Sequence, residues 1–107
     1  MPNQELEYRV LKLLEQRPNI TQRQLSKELG VSLGKTHYLV KALVHVGWVK
    51  LENFQRSNNK LGYAYLLTPT GVVEKAKITR QFLQRKQQEY QQLKCEIEQL
   101  KIEVDEF

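Results

Sequence analysis

The sequence predicts a mainly α chain with one small β-hairpin: three short helices lead into the hairpin and one long helix follows it. Three observations carry this expectation. Apolar residues recur at helical spacing through the first part of the chain, two strand-like runs flank a polar turn between residues 48 and 67, and a heptad repeat runs from Val72 to Phe107.

Leu6, Val10, Leu13 and Leu14 recur at i, i+4, i+7 and i+8 with charged residues between them, which predicts an amphipathic first helix that stops at Pro18-Asn19. Thr21 can cap the backbone N–H of Gln24 while Gln24 reaches back to the N–H of Thr21. This is a capping box, and Ile20 and Leu25 stand where a hydrophobic staple needs them. A second helix is therefore expected from about Gln22 to Leu29. Gly30 ends it, because a glycine accepts the left-handed conformation after a helix at little cost. Val31 is the buried turn residue, and Ser32 caps a third helix that continues to about Val46 and is closed by Gly47. Two short helices joined by Leu29-Gly30-Val31-Ser32 read as a helix-turn-helix, since the tight turn needs a glycine and one apolar plug.

Trp48 to Phe54 is strand-like, with Val49 and Leu51 alternating against Lys50 and Glu52, and Tyr63 to Leu67 is a second strand rich in aromatic and apolar residues. Gln55 to Gly62 forms the polar turn between them, and Trp48 is expected in the core. Helix, helix, helix, hairpin is the order of a winged helix-turn-helix. Thr68 then caps a last helix with Pro69 at its first position, where the missing N–H costs nothing. Along it Ala76, Leu83, Tyr90, Ile97 and Val104 fall at position a, and Val72, Thr79, Lys86, Leu93, Leu100 and Phe107 at d; only Thr79 and Lys86 break the apolar stripe. A helix over 68–107 is roughly 60 Å long at 1.5 Å per residue, too long for this small body to cover. The expected organisation is a winged helix-turn-helix domain over 1–67 and a dimerisation helix over 68–107, coiled-coil from about Leu83.

Charge narrows the partners. The chain carries a net +5, from 17 Lys and Arg against 12 Asp and Glu. The excess lies in residues 1–67, with ten cations against five acids, and a basic stretch of Lys75, Lys77, Arg80, Arg85 and Lys86 follows at the root of the last helix. Such a balance points first to a polyanion and only second to an acidic membrane surface. No window is apolar enough for a spanning helix or a signal peptide, so a cytoplasmic location is expected. The single cysteine, Cys95, cannot staple a fold; at heptad position f between Lys94 and Glu96 it is expected to be inert. His37 and His45 are eight residues apart, which does not suit a shared metal, and no catalytic triad or phosphate loop is visible. Neither an enzyme nor a cofactor or metal site is expected.

Leu29-Gly30-Val31-Ser32, with Leu43, Gly47 and Val49 after it and Leu67-Thr68 and Gly71 beyond the hairpin, resembles the MarR-type winged-helix transcriptional regulators. The run from Ser57 to Gly71, together with the last helix, is most similar to the small MarR-type regulators associated with bacterial exopolysaccharide gene clusters. The hairpin departs from the larger family in lacking its Asp-x-Arg pattern. The resemblance implies a bacterial regulator that binds double-stranded DNA as a dimer, with the third helix in the major groove and the hairpin as a wing beside it.

At 100° per residue the third helix sets Thr36, Leu39, Val40, Leu43 and Gly47 on one side and Gly34, Tyr38, Lys41 and His45 on the other, with His37 at the border. The second group is the expected recognition face. Lys35 and Lys41 can bond phosphates or a guanine edge, and His37 and Tyr38 can bond bases or phosphates, beside the helix N-terminus capped by Ser32. Gly34 lets the backbone approach a groove edge, or is merely tolerated near the helix start. Thr21, Gln22 and Arg23 offer phosphate contacts at the second helix N-terminus. Arg56 and Lys60 flank Ser57, Asn58 and Asn59 at the hairpin tip, small residues for the minor groove held between phosphate-binding cations.

The heptads predict a homodimer through parallel C-terminal helices, paired over Leu83, Tyr90, Leu93, Ile97, Leu100 and Val104. Ile97 and Val104 at a with Leu93 and Leu100 at d favour two parallel strands. Glu89 and Glu96 at g would meet Lys94 and Lys101 at e of the other copy, whereas an antiparallel pair would set like charges together. A parallel pair implies an inverted-repeat operator with half-site centres about 34 to 36 Å apart or a multiple of it. A protein-binding adaptor with a coiled-coil tail and an RNA-binding module are the competing functions. The operator, the sign of regulation and any small-molecule effector are not written in the sequence.

Overall fold

A computed structural model of the chain describes residues 4–57 and 60–106, with side chains described outside 53–63. Six elements follow in order: α1 (Gln4–Gln16), α2 (Gln22–Leu29), α3 (Leu33–His45), β1 (Val49–Ser57), β2 (Lys60–Leu67) and α4 (Pro69–Asp105).

α1 is the centre of the body, packed against α2, β2 and the start of α4. It therefore needs a wide apolar face. Leu6, Val10, Leu14 and Leu11 are buried and span an arc of about 140° at 100° per residue. Leu13, expected in this stripe, is half-buried just outside the arc, and Leu11 takes the interior place instead. Ile20, Leu25, Leu29, Val40, Leu43, Val49, Tyr65 and Ile78 complete the core.

The caps hold where local chemistry demands them. Thr21 Oγ1 accepts from the N–H of Gln24 at 3.1 Å, and Gln24 Oε1 accepts from the N–H of Thr21 at 3.0 Å, which closes the capping box. Gly30 adopts φ 71°, and its N–H donates to Ser26 O. Ser32 Oγ accepts from the N–H of Lys35 at 3.1 Å and starts α3. At the other end of α2, Arg9 of α1 donates to the carbonyls of Glu28 and Leu29, filling acceptors that a helix C-terminus leaves open.

β1 and β2 form an antiparallel hairpin with Val49 opposite Leu67 and Glu52 opposite Ala64. Both strands reach into the segment expected as a turn, to Ser57 and from Lys60, because the ladder is made by backbone groups and needs no apolar alternation. The register shifts between Gln55 and Ser57, leaving Arg56 as the extra backbone residue of a bulge. The hairpin root is fastened twice. Tyr65 N–H donates to Pro18 O at 2.9 Å, and Thr68 N–H donates to Trp48 O at 3.0 Å.

α4 begins on that second fastening. Thr68 caps it by accepting from the N–H of Gly71 while its hydroxyl donates to Gly47 O. A Cβ on Gly71 would lie 1.9 Å from Trp48 O, so only glycine lets the helix press on this carbonyl. Trp48 itself is half-buried against the core. Beyond it the docked face of α4 is Gly71, Lys75, Ile78, Phe82 and Arg85, all buried or half-buried. Phe82 stacks on Tyr8 with ring centroids 5.1 Å apart, and Lys75 pairs with Glu15 at 2.6 Å. The heptad a and d residues lie on a different face, about 110° away at 100° per residue. Val72, Leu83, Tyr90, Leu93, Ile97, Leu100 and Val104 are all exposed along it. Thr79 directs its hydroxyl to the Lys75 carbonyl at 2.7 Å, spending its polar group within its own helix.

Candidate nucleic-acid interface

The outer face of α3 is set by its inner one. Thr36, Val40 and Leu43 are buried and face inward where the helix packs on α2, and Thr36 Oγ1 donates to Ser32 O of its own first turn at 2.9 Å. Tyr38 is consequently 72% exposed, and Lys35, His37, Lys41 and His45 are also exposed. Gly34 has an open surround: a Cβ there would meet no atom within 4 Å, so the fold itself does not require glycine.

The N-terminus of α2 lies beside this face. Gln22 Oε1 stands 3.2 Å from His37 Nδ1, and Gln22 Nε2 donates to the Tyr65 hydroxyl at 3.4 Å. Three elements thus meet through one side chain. Thr21 and Arg23 are exposed; the Thr21 oxygen is already engaged as the helix cap, as is the oxygen of Ser32.

Ion pairs are unevenly distributed among the described cations. Arg17 pairs with Glu28, Lys50 with Glu52, Lys75 with Glu15, Lys77 with Glu74, Lys86 with Glu89 and Lys101 with Glu98. Among the described residues Arg23, Lys27, Lys35 and Lys41 enter no ion pair, so their charge is left to solvent and counter-ions. The basic stretch at the root of α4 is different: Lys75, Lys77 and Lys86 are paired internally, and Arg85 and Lys86 lie over the Phe82 ring at 5.5 and 5.3 Å. Among the described residues Arg80 and Arg85 of that stretch enter no ion pair, nor do Arg9, Lys12 and Lys94, so unpaired charge stands on α2 and α3 without being confined to them.

Residues 4–50 match the family described as winged helix-turn-helix DNA-binding. Three of the solved structures that share the architecture are similar over most of this chain. The chain is similar to Streptococcus pneumoniae FabT, solved in complex with DNA, at 20% identity and a TM-score of 0.56, covering 78% of this chain and 56% of that one. It is similar to Staphylococcus aureus MarR, solved with salicylate and kanamycin, at 21% identity and a TM-score of 0.54, covering 77% of this chain and 53% of that one. The third is RV1404 from Mycobacterium tuberculosis, at 21% identity and a TM-score of 0.52, covering 78% and 58%. The fold is a winged helix-turn-helix. The chain spans a little over half the length of these three proteins. No curated protein sequence matches it.

In winged-helix terms, α2 and α3 are the helix-turn-helix and the β1–β2 hairpin is the wing. Of the wing residues expected at a nucleic-acid surface, Arg56 and Ser57 end β1 and Lys60 opens β2, while their side chains and all of Asn58 and Asn59 lie outside the described residues. Among the described residues no group of three His, Cys, Asp or Glu is placed to hold a metal ion, and no helix is long and apolar enough to cross a membrane. Sequence reasoning missed Tyr65 as a partner of the site. Only its aromatic character within a strand was legible; its contact with Gln22 joins residues 43 positions apart.

Proposed function

We propose that the protein is a sequence-specific regulator of transcription that binds double-stranded DNA as a homodimer. The observation that carries this reading is the outer face of α3, where Lys35, Lys41, His37 and Tyr38 stand exposed, as Arg23 does on α2, with no acidic partner among the described residues. A helix of this width fits the major groove. In this reading Lys35 and Lys41 hold phosphates or a guanine edge, His37 and Tyr38 face base edges, and Gly34 lets the start of α3 approach the groove. Ser32, Thr21, Gln22 and Arg23 supply phosphate contacts from two helix N-termini. Arg56, Ser57, Asn58, Asn59 and Lys60 bring the wing to the neighbouring minor groove. The FabT complex, which contains DNA and has the same fold, supports duplex DNA over RNA or a protein partner. The similarity of 57–71 to exopolysaccharide-associated regulators supports genes of that kind as targets.

A second copy is the partner best suited to the exposed stripe of α4. Leu83, Tyr90, Leu93, Ile97, Leu100 and Val104 repeat at heptad spacing with no cover in the chain, and the flanking Glu89, Lys94, Glu96 and Lys101 complement one another only in a parallel pair. Residues 1–67 then bind DNA, 68–107 pair the copies, and the operator is an inverted repeat.

Electrophoretic shifts with duplex DNA and with RNA across a salt series test the reading. Duplex binding should weaken steeply with salt. Replacing Arg56 or Lys60 by alanine should flatten the log–log slope by about one unit with the base preference unchanged, whereas Tyr38→Ala or Lys41→Ala should change which bases are preferred. RNA bound as tightly as duplex, or a preference indifferent to α3, overturns it. For the dimer, a Leu100→Cys chain carrying Cys95→Ser should crosslink to its own mate, and deletion of 88–107 should give a monomer. A truncation that stays dimeric at micromolar concentration refutes the paired helices.

A further inference from the structure

The geometry points to Gln22 as a positioning residue that fixes the tautomer of His37, so that this imidazole reads an amino group, adenine N6 or cytosine N4, in the major groove. The inference rests on the DNA reading above and deepens it.

The network is anchored at its Tyr65 end. Tyr65 is buried, its ring is part of the core, and its N–H is bonded to Pro18 O, so its hydroxyl occupies a defined place at the wing root. Gln22 is the first residue of α2, set by the capping box immediately before it. Its amide has one accepting and one donating end. The structure sets Nε2 3.4 Å from the Tyr65 hydroxyl, which can accept from it, and Oε1, which can only accept, 3.2 Å from His37 Nδ1. In this orientation it is Nδ1 that carries the hydrogen. A neutral imidazole has one N–H, so Nε2 is left as a bare acceptor.

That assignment decides what the exposed ring can bind. A bare nitrogen repels phosphate oxygens and gains nothing from the N7 and O6 acceptors of guanine. It pairs with the amino groups that adenine and cytosine display in the major groove. The reverse orientation of the Gln22 amide would give the opposite result, an Nε2–H donor suited to guanine or phosphate. Gln22, which the sequence marks only as a phosphate contact, thereby acts on base choice through its neighbour. Tyr65 extends the chain of control to the wing strand.

Long-range proton–nitrogen NMR of the full-length protein, without DNA, tests the tautomer at a pH where the imidazole is neutral. His37 should appear as Nδ1–H. His45, which is exposed and has no hydrogen-bond partner among the described residues, should show the Nε2–H form usual for free imidazole and serves as the internal reference. Gln22→Leu should return His37 to the His45 pattern, and Gln22→Glu, whose carboxylate also accepts from Nδ1–H, should preserve it. An Nε2–H signature for His37 in the unaltered chain overturns the proposal.

Selection from random duplexes supplies the second readout. One operator position should prefer adenine or cytosine, and both His37→Leu and Gln22→Leu should relax that same position, by about tenfold in discrimination. Tyr38→Ala should leave it intact. If no duplex is bound at all, the proposed function fails together with the base reading, while the NMR arm still decides whether Gln22 sets the tautomer. If selection succeeds but no position depends on both residues, this inference alone is wrong.

Discussion

The two halves of α4 solve opposite problems with one helix. Near the wing, Gly71, Lys75, Ile78, Phe82 and Arg85 face α1, and packing, stacking and an ion pair tie them down. Past Arg85 the same face continues as Glu89, Gln92, Glu96, Gln99 and Glu103, polar throughout, where there is no body left to meet. The apolar residues of the distal half occupy the other stripe instead. A helix that served only the body would end near Arg85, and one that served only a partner would not need Gly71. Two interlaced repeats therefore coexist, and the residue types change along each one where its partner changes.

The contrast can be broken most forcefully at Gly71. A Cβ there collides with the Trp48 carbonyl, a backbone atom that cannot swing away, so Gly71→Ala should cost about 3 kcal/mol or more in chemical denaturation. The corresponding distal change, Cys95→Ala on the exposed side, should stay within about 0.5 kcal/mol. A well-tolerated alanine at 71 means that α4 does not dock as described.

Next in size is a pair of truncations, one on each stripe. Ile78→Ala opens the core and should cost about 2 to 4 kcal/mol at every protein concentration. Leu100→Ala removes a side chain with no cover in its own chain, so its cost should grow or shrink with concentration as the association equilibrium dictates. Equal, concentration-independent losses for the two variants would erase the distinction between the halves.

The smallest expected effect concerns the helix on which the proximal half rests. Burial pushes the Glu7 carboxyl above its ordinary value of 4.5. A carboxyl with a raised folded-state pKa contributes its stability below the unfolded pKa and loses it as pH rises through the folded one. Glu7→Gln should therefore raise the thermal midpoint slightly at pH 7, with the advantage disappearing as the solution is acidified below about 4.5. An advantage that persists undiminished in acid would assign the effect to packing instead of charge.

What could be read from the chain beforehand was the chemistry of neighbours in sequence. The Thr21–Gln24 box, Gly30, the Ser32 cap and the Thr68-Pro69 start are local devices, and each occurs where it was expected. Leu11 was not legible as core, because a single apolar stripe does not reveal how many elements surround α1. The reach of the hairpin into 55–62 was hidden because backbone pairing leaves no mark on side-chain pattern. In α4 the regular heptads concealed the second stripe, whose members include a lysine, an arginine and a glycine. The exposed face of α3 followed from its period, but the Tyr65–Gln22–His37 chain joins three elements, and only their folding brings those residues together.

The junction at Trp48 gives α4 the mechanics of a lever. Trp48 O receives the N–H of Thr68 and the pressure of Gly71, while Trp48 N–H donates to Leu43 O near the end of α3. The long helix is thereby keyed to the short one through a single peptide segment. Over an arm of about 55 Å, a rotation of only 5° at the root displaces the far end by about 5 Å. The converse has the greater consequence: a grip on the tip that is accurate to an ångström sets the heading of α3 to about a degree. An insertion of one residue between Lys86 and Tyr90 would leave every contact of the body intact and still turn the distal stripe by about 100° away from its bearing.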